Sequence, residues 1–199
     1  MSDKYNFKIE PIVDCTTNKV FMYEILYNNC IPNNILFSVV NSNLDLFILS
    51  QLINFYKNIN TNKVLYSINC FYETYYNQAE YINKLLGLYK NLYIELIELS
   101  QFTNTDFMNK NRVLIDDFGT KNNNLDKLKT AAFAIKIDRV CLDYSINFLK
   151  ELIENIKFHN SIPIFEKIET KAELDKAKLS GCNYIQGFYF RDNPTHVIN

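Results

Sequence analysis

Short apolar runs typical of β-strands recur along the whole chain and alternate with segments of helical character. Runs such as Val113–Ile115 are continuously apolar, as is typical of strands buried on both faces of a parallel sheet. The predicted strands are Phe7–Val13, Val20–Leu26, Val64–Asn69, Leu92–Glu98, Val113–Ile115, Phe133–Ile137, Ile162–Phe165 and Tyr184–Ile185. This alternation predicts a parallel α/β sheet or barrel.

Three of the intervening segments have apolar residues at helical spacing. Ile35–Ile59 contains one such stretch, Asp143–Asn160 is the second, and Lys171–Ser180 is a shorter one that stops at Gly181. Glycine suits the position that follows a helix end. At 199 residues, with four glycines, four prolines and no low-complexity linker, the chain is expected to form one domain over residues 1–199.

Charge and cysteine usage exclude several classes of protein. A formal net charge of -1 disfavours binding to duplex nucleic acid. The polar start has no signal-peptide core, and no apolar run is long enough to span a bilayer, so no membrane partner is expected. The five cysteines are widely spaced, which favours reduced thiols in the cytoplasm over a disulfide framework or a zinc site.

Polar side chains stand at the ends of seven consecutive predicted strands. They are Glu24, Asn69, Glu95 with Glu98, Asp116 with Asp117, Lys136 with Asp138, Glu166 with Glu169, and Gln186. Active sites of α/β barrels collect at this rim, from the ends of different strands. Carboxylates and an asparagine oxygen, without histidine or cysteine, favour Mg²⁺, Mn²⁺ or Ca²⁺ over Zn²⁺.

The adjacent carboxylates of Asp116 and Asp117 repel each other and need a compensating cation. Lys136, on an otherwise apolar strand, is costly to bury unless carboxylates pair with it. Two other interpretations of the aspartate pair are a helix N-cap with a solvated neighbour, and the Asp-Phe-Gly of a protein kinase. The kinase interpretation is disfavoured because the chain lacks a glycine-rich loop and a His-Arg-Asp loop.

Seven short segments, taken in order, resemble the motifs of the EAL domain family, the bacterial cyclic-di-GMP phosphodiesterases. They are Tyr23–Leu26, Ser67–Asn69, Ile94–Glu98, Ile115–Thr120, Ile135–Arg139, Phe165–Thr170 and Gly181–Phe188. The resemblance covers nearly the whole chain. It implies a TIM-like (β/α)8 barrel with an antiparallel first strand, in a single EAL-like domain with shortened connecting segments.

The resemblance also implies roles for individual residues. The implied metal ligands are Glu24, Asn69, Glu95, Asp116, Asp117 and Glu166. They would hold two Mg²⁺ or Mn²⁺ ions for hydrolysis of cyclic-di-GMP to linear pGpG. Lys136, Glu166 and Asp117 would be catalytic, with Lys136 activating the attacking water. Gln186 would support the substrate side, and Glu98 would hold the loop after Asp117.

The chain departs from the family pattern at several positions. Asn28 stands where an arginine usually contacts a substrate phosphate, which removes a contact of roughly 1.5–3 kcal/mol. Lys121–Asn124 replaces a glycine-containing loop, and Lys167 replaces a glycine after Glu166. Only 15 residues separate Ser100 from Asp116, which leaves room for at most a short helix around Thr103–Asn111. The family dimerises partly through this region, so a dimer is doubtful.

Two functions remain open. The first is a metal-dependent cyclic-di-GMP phosphodiesterase, which the complete set of implied ligands favours. The second is a catalytically weak or inactive EAL protein that senses cyclic-di-GMP or binds a regulatory protein partner and so controls transcription or motility. The departures at Asn28 and Lys121–Asn124 favour the second. Burying so many carboxylates without a cation would be unfavourable. The sequence therefore favours metal binding with some turnover.

Overall fold

A computed structural model of the protein describes residues 7–27, 42–56, 64–97, 105–106, 108–120 and 125–192. Within these residues, eight strands pair in chain order and close into a barrel. They are β1 (Phe7–Asp14), β2 (Lys19–Tyr27), β3 (Leu65–Phe71), β4 (Leu92–Ile97), β5 (Val113–Phe118), β6 (Ala134–Ile137), β7 (Ile162–Phe165) and β8 (Tyr184–Gln186). Each coincides with a predicted apolar run, so the predicted α/β barrel is confirmed.

Strand β1 runs antiparallel to both of its neighbours, β2 and β8, whereas the other neighbouring strands are parallel. The turn between β1 and β2 is too short for the crossover that parallel strands need. Asp14 stabilises it by accepting hydrogen bonds from the backbone N and the hydroxyl of Thr16, at 2.8 and 2.6 Å. Asn18 completes the turn with a φ of 55°. The antiparallel first strand is therefore confirmed.

Among the described residues, five α-helices lie between strands and a sixth follows β8. They are α1 (Ser42–Tyr56), α2 (Tyr72–Asn77), α3 (Ala79–Leu88), α4 (Ile146–Phe158), α5 (Lys171–Leu179) and α6 (Phe188–Asp192). Helices α1, α4 and α5 fall inside the predicted segments. Helices α2 and α3 were not predicted, because the aromatic residues that open α2 favour strands as isolated residues. Burial of Tyr75 and Ile82 against the barrel overrides that preference.

Local sequence signals explain where the later helices begin and end. The Ser145 hydroxyl accepts a hydrogen bond from Phe148 N at 3.3 Å at the start of α4. Thr170 and Glu173 form a reciprocal capping box at the start of α5. Gly181 follows α5 with a φ of 90°, as predicted. A short helix was expected around Thr103–Asn111. In the described part of that range, the helical structure is limited to the first residues of a 3-10 turn, Lys110–Arg112.

The barrel interior holds a compact apolar layer beneath one rim. Its buried members are Ile12, Met22, Tyr93, Leu114, Ala134 and Ile164. A larger apolar cluster joins the outer faces of the strands to the helices. Among the described residues, none of the helices combines the length and the apolar character that a membrane crossing requires. Cys15, Cys70, Cys141 and Cys182 are buried and free, whereas Cys30 lies outside the described residues.

Asp45 anchors helix α1 to the end of strand β3. Its side chain is 1% exposed and accepts a hydrogen bond from Phe71 N at 3.0 Å. Burial raises the pKa of Asp45 to about 6, although hydrogen bonds from Thr74 and Phe71 oppose the shift. Because the folded protein binds this proton more tightly than the unfolded chain, the contribution of Asp45 to stability is lost as the pH rises from about 4 through 6.

We therefore expect Asp45→Asn to reduce the pH dependence of the free energy of unfolding. The stability of the variant relative to wild type should be greater at pH 7 than at pH 4. The difference should reach roughly 3 kcal/mol, because the fold raises the pKa of Asp45 from about 4 to about 6. Urea unfolding at both pH values measures the difference. An equal effect of the substitution at pH 4 and pH 7 would contradict the assigned burial of a charge at Asp45.

Candidate active site

The polar layer of the barrel lies directly above its apolar layer. Side chains two residues apart on a strand point to the same face. Glu24 therefore follows Met22 into the barrel, and the same step separates Tyr93 from Glu95. The same step recurs on β5 with Leu114 and Asp116, on β6 with Ala134 and Lys136, and at the end of β7 with Ile164 and Glu166. The rim toward which most strands run thus collects the charged groups in one place.

Strand β5 contributes two consecutive carboxylates, although regular strands direct consecutive side chains to opposite faces. The pairing of β5 with β6 shifts register between Ile115 and Phe118, and Asp117 has a φ of 52°. This irregularity turns the backbone so that ligand oxygens of Asp116, Asp117 and Glu166 all lie within 4.8 Å of one another. The three carboxylates form the group of acids, within the described ranges, that is placed to hold a metal ion.

Lys136 is the central cation of the site. Its side chain is 2% exposed, and its Nζ lies 3.3 Å from Glu24 Oε2, 3.2 Å from Asp116 Oδ1 and 3.1 Å from Glu166 Oε2. It also contacts Glu95. Burial alone would lower the pKa of Lys136, but the surrounding carboxylates, Asp116 first, raise it well above its usual value. The expected pairing of Lys136 with carboxylates is therefore present.

Glu24 joins both sides of the barrel. Asn69 Nδ2 donates to Glu24 Oε1 at 2.8 Å, and Gln186 Nε2 donates to Glu24 Oε2 at 2.6 Å. Burial opposes ionisation of Glu24, but Lys136 and these hydrogen bonds hold its pKa below the usual value. The side-chain oxygens of Asn69 and Gln186 are buried and accept no hydrogen bond from the described residues. They are open acceptors beside a charged cluster.

Three carboxylates of the site hold their protons more tightly than usual. Burial raises the pKa of Glu95, and the nearby Glu24 raises it further. Burial raises the pKa of Glu166, to which Asp116 adds, and burial is also the main cause of the raised pKa of Asp116 itself. These shifts indicate more negative charge than Lys136 alone neutralises.

A second lysine enters the site from the loop after β7. Lys167 Nζ lies 2.6 Å from Asp138 Oδ2 and 3.4 Å from Glu166 Oε1, and it also contacts Asp117. Burial opposes ionisation of Asp117, but the hydrogen bond from Lys167 lowers its pKa below the usual value. The sequence marked Lys167 only as a departure from a glycine. Its place next to Glu166 was the available signal that it reaches the site.

Asp138 is a second residue whose partner the sequence did not reveal. The sequence places it at a strand end, two residues after Lys136 and directly before the cation of Arg139. Its carboxylate instead accepts from Val140 N at 2.9 Å and contacts Lys167, while Arg139 pairs with Glu169 at 2.8 Å. Adjacency in sequence therefore does not decide the partner of Asp138, which pairs with the distant Lys167 and not with Arg139.

The donor set fits a divalent cation that prefers oxygen. Carboxylates predominate, an asparagine oxygen is open, and three ligand atoms are already within mutual reach. The structure brings together all the predicted site residues that it describes: Glu24, Asn69, Glu95, Asp116, Asp117, Lys136, Glu166 and Gln186. Asn28, Glu98 and Lys121–Asn124 lie outside the described residues, so the expectations for them remain predictions.

Comparisons with known proteins agree with the barrel fold. A family model described as EAL domain matches residues 2–192. The fold is similar to that of the Bacillus subtilis YkuI protein, which has an EAL domain and was solved with c-di-GMP and calcium. The two share 18% identity with a TM-score of 0.75, over 92% of this chain and 54% of that one. No curated protein sequence matches the chain.

Two further solved structures are also similar. Klebsiella pneumoniae BlrP1, solved at pH 6 with manganese and c-di-GMP, shares 18% identity with a TM-score of 0.76, over 95% of this chain and 56% of that one. An EAL domain protein from Listeria monocytogenes EGD-e shares 21% identity with a TM-score of 0.71, over 94% and 87%. The chain spans about half the length of YkuI and BlrP1. At these identities the likeness shows a common fold.

Proposed function

Because the chain belongs to the EAL domain family, we propose that it binds cyclic-di-GMP and hydrolyses it to linear pGpG with Mg²⁺ or Mn²⁺. The observation that carries the proposal is the convergence of oxygen donors from strands β2, β4 and β5 and the end of β7 around the buried ammonium of Lys136. The c-di-GMP complexes of YkuI with calcium and of BlrP1 with manganese support the choice of substrate and of a divalent ion.

The proposed metal ligands are the six side chains implied by the sequence: Glu24, Asn69, Glu95, Asp116, Asp117 and Glu166. A bound divalent ion would supply a water of lowered pKa and would stabilise the charge that develops on the phosphoryl oxygens. The open oxygen of Asn69 suits this role, because a buried acceptor without a partner gains most from a cation.

The chain's own cations and amides would position the reacting groups. Lys136 keeps its proton, so its ammonium would orient the attacking water and favour the deprotonated form of that water. Asp117 and Glu166 would complete the catalytic set with Lys136. Gln186 donates to Glu24 and keeps its carbonyl oxygen open, so it would accept a hydrogen bond from the water or the substrate.

The free thiols of the described cysteines support a cytoplasmic location.

Purified protein incubated with cyclic-di-GMP and Mn²⁺ should release pGpG, detected by chromatography. Glu24→Gln should lower turnover at least roughly 100-fold, because it removes a ligand charge and disturbs the pairing of Lys136. Glu151→Gln, on the exposed face of α4, is the matched control and should leave turnover unchanged. If neither wild type nor Glu24→Gln releases pGpG at high protein concentration, the proposed phosphodiesterase activity is excluded.

A specific observation favours the second candidate function, an EAL protein that binds cyclic-di-GMP or a regulatory protein without efficient turnover. Lys167 places a permanent positive charge among the carboxylates proposed as metal ligands. Calorimetry would separate the two functions, because a sensor would bind cyclic-di-GMP and release no pGpG. A protein partner whose binding survives Glu24→Gln would also support the second function.

A further inference from the structure

The ammonium of Lys167 contacts two members of the group of carboxylates that is best placed to bind metal. Asp117 and Glu166 both belong to that group, and both contact Lys167 Nζ. Asp138 Oδ2, at 2.6 Å, holds the ammonium from a third side. Lys167 therefore has three carboxylate partners at the rim of the candidate metal site. The chain itself supplies a cation there.

The backbone holds Lys167 in an unusual conformation to achieve this placement. Its φ is 59°, in the left-handed region that favours glycine, the residue that the family pattern has here. Both neighbours are fixed, because Glu166 N donates to Ile137 O at 3.0 Å and Ile168 N donates to Gln186 O at 3.1 Å. A strained residue that persists at a functional site points to a role for its side chain.

We propose that the ammonium of Lys167 takes the position of the second divalent ion, so that the site binds one metal ion instead of two. The inference rests on the proposed metal-binding function and specifies its stoichiometry. The inference is specific to this chain, because a glycine at position 167 would have no side chain to supply the positive charge.

Charge and space both support the substitution of an ammonium for a metal ion. A divalent ion held by Asp117 and Glu166 would need oxygens within roughly 2.0–2.6 Å. One of these oxygens, Glu166 Oε1, is already 3.4 Å from Lys167 Nζ. Two cations sharing the same oxygens would repel each other.

The donors on the other side of the barrel remain for one ion. Glu24 is paired with Lys136, Asn69 and Gln186 in the described contacts, and Lys167 is not among these partners. Asn69 keeps its side-chain oxygen open. The excess of buried carboxylates over the two lysines still requires positive charge there. One divalent ion would supply it.

Metal stoichiometry tests the proposal without any assay of turnover. Native mass spectrometry and calorimetry with Mn²⁺ should give one ion per chain for wild type and for Lys167→Arg, which keeps the charge. Lys167→Gly and Lys167→Gln should each bind two ions, and paired Mn²⁺ should show exchange coupling in electron paramagnetic resonance. Lys167→Gln keeps a side chain at this backbone position, so it tests the charge separately from the strain.

Asn160→Gly is the matched control for the backbone. Asn160 is exposed in the turn between α4 and β7, has a φ of 60°, and is remote from the carboxylates, so this variant should still bind one ion. Two ions in wild type would overturn the inference and leave the proposed function intact. A single ion in both Lys167→Gly and Lys167→Gln would also overturn it. No Mn²⁺ in any variant would overturn the inference and the metal-dependent function together.

Discussion

Replacing Lys136 by methionine is expected to lower the free energy of unfolding at pH 7, without added metal, by roughly 3–5 kcal/mol. Lys136 is 2% exposed, and its ammonium is the shared partner of Glu24, Glu95, Asp116 and Glu166. Methionine is an unbranched side chain that replaces most of the lysine stem but leaves the buried carboxylates without their cation. Turnover of cyclic-di-GMP should be lost as well.

The pH dependence identifies the cause of this destabilisation. Glu95, Asp116 and Glu166 have raised pKa values, so they accept protons as the pH falls, and the loss caused by Lys136→Met should be smaller at pH 5 than at pH 7. Chemical unfolding at both pH values gives the two losses. Lys150→Met, on the exposed surface of α4, is the control and should leave stability within about 0.5 kcal/mol. A loss that does not depend on pH would mean that lost packing is the cause.

Gly187→Ala is expected to destabilise the protein by roughly 3 kcal/mol or more, through overpacking combined with backbone strain. A Cβ at this position would lie 2.1 Å from Ile168 O and 2.3 Å from Ile168 N. These backbone atoms cannot move freely, because Ile168 N donates to Gln186 O and Ile168 O accepts from Tyr189 N at 3.0 Å. The alanine would therefore push apart the loop that carries Glu166 and the strand end that carries Gln186.

Gly181→Ala provides the matched comparison. Gly181 also has a positive φ, 90°, but a Cβ there would meet nothing closer than the Lys157 Nζ at 3.9 Å. Its cost should be limited to the left-handed backbone, roughly 1–2 kcal/mol. Thermal unfolding of both variants measures the difference between strain alone and strain with a clash. Equal losses for the two variants would mean that the loop around Ile168 moves away without cost.

The barrel could be predicted because its strands are continuous apolar runs that end in polar residues. Val113–Ile115 followed by Asp116 is a pattern typical of a buried strand that ends in a polar group, and β5 begins at Val113. Helices α2 and α3 could not be predicted in the same way. Their sequence is rich in tyrosine, and burial of Tyr75 against the barrel, more than local preference, decides their conformation.

The candidate site was predictable wherever a side chain follows the period of its strand. Glu24, Glu95 and Lys136 each lie two residues after a buried apolar residue, so the face on which they lie follows from the sequence. The position of Asp117 does not follow from that period. It reaches the same carboxylate group only because β5 shifts register and its own φ is 52°.

The sequence by itself determined the class of fold and the family, because apolar periodicity and ordered motifs are local properties of the chain. Only the tertiary structure decided that Lys167, together with Lys136, compensates the carboxylates of the site. Lys167 and Asp138 stand 29 residues apart in sequence, and their side chains meet at 2.6 Å beyond the ends of the neighbouring strands β7 and β6. The direction of a long side chain depends on the folded backbone and does not follow from sequence spacing. The ion pairs that balance the charge of the site therefore form only when the barrel closes.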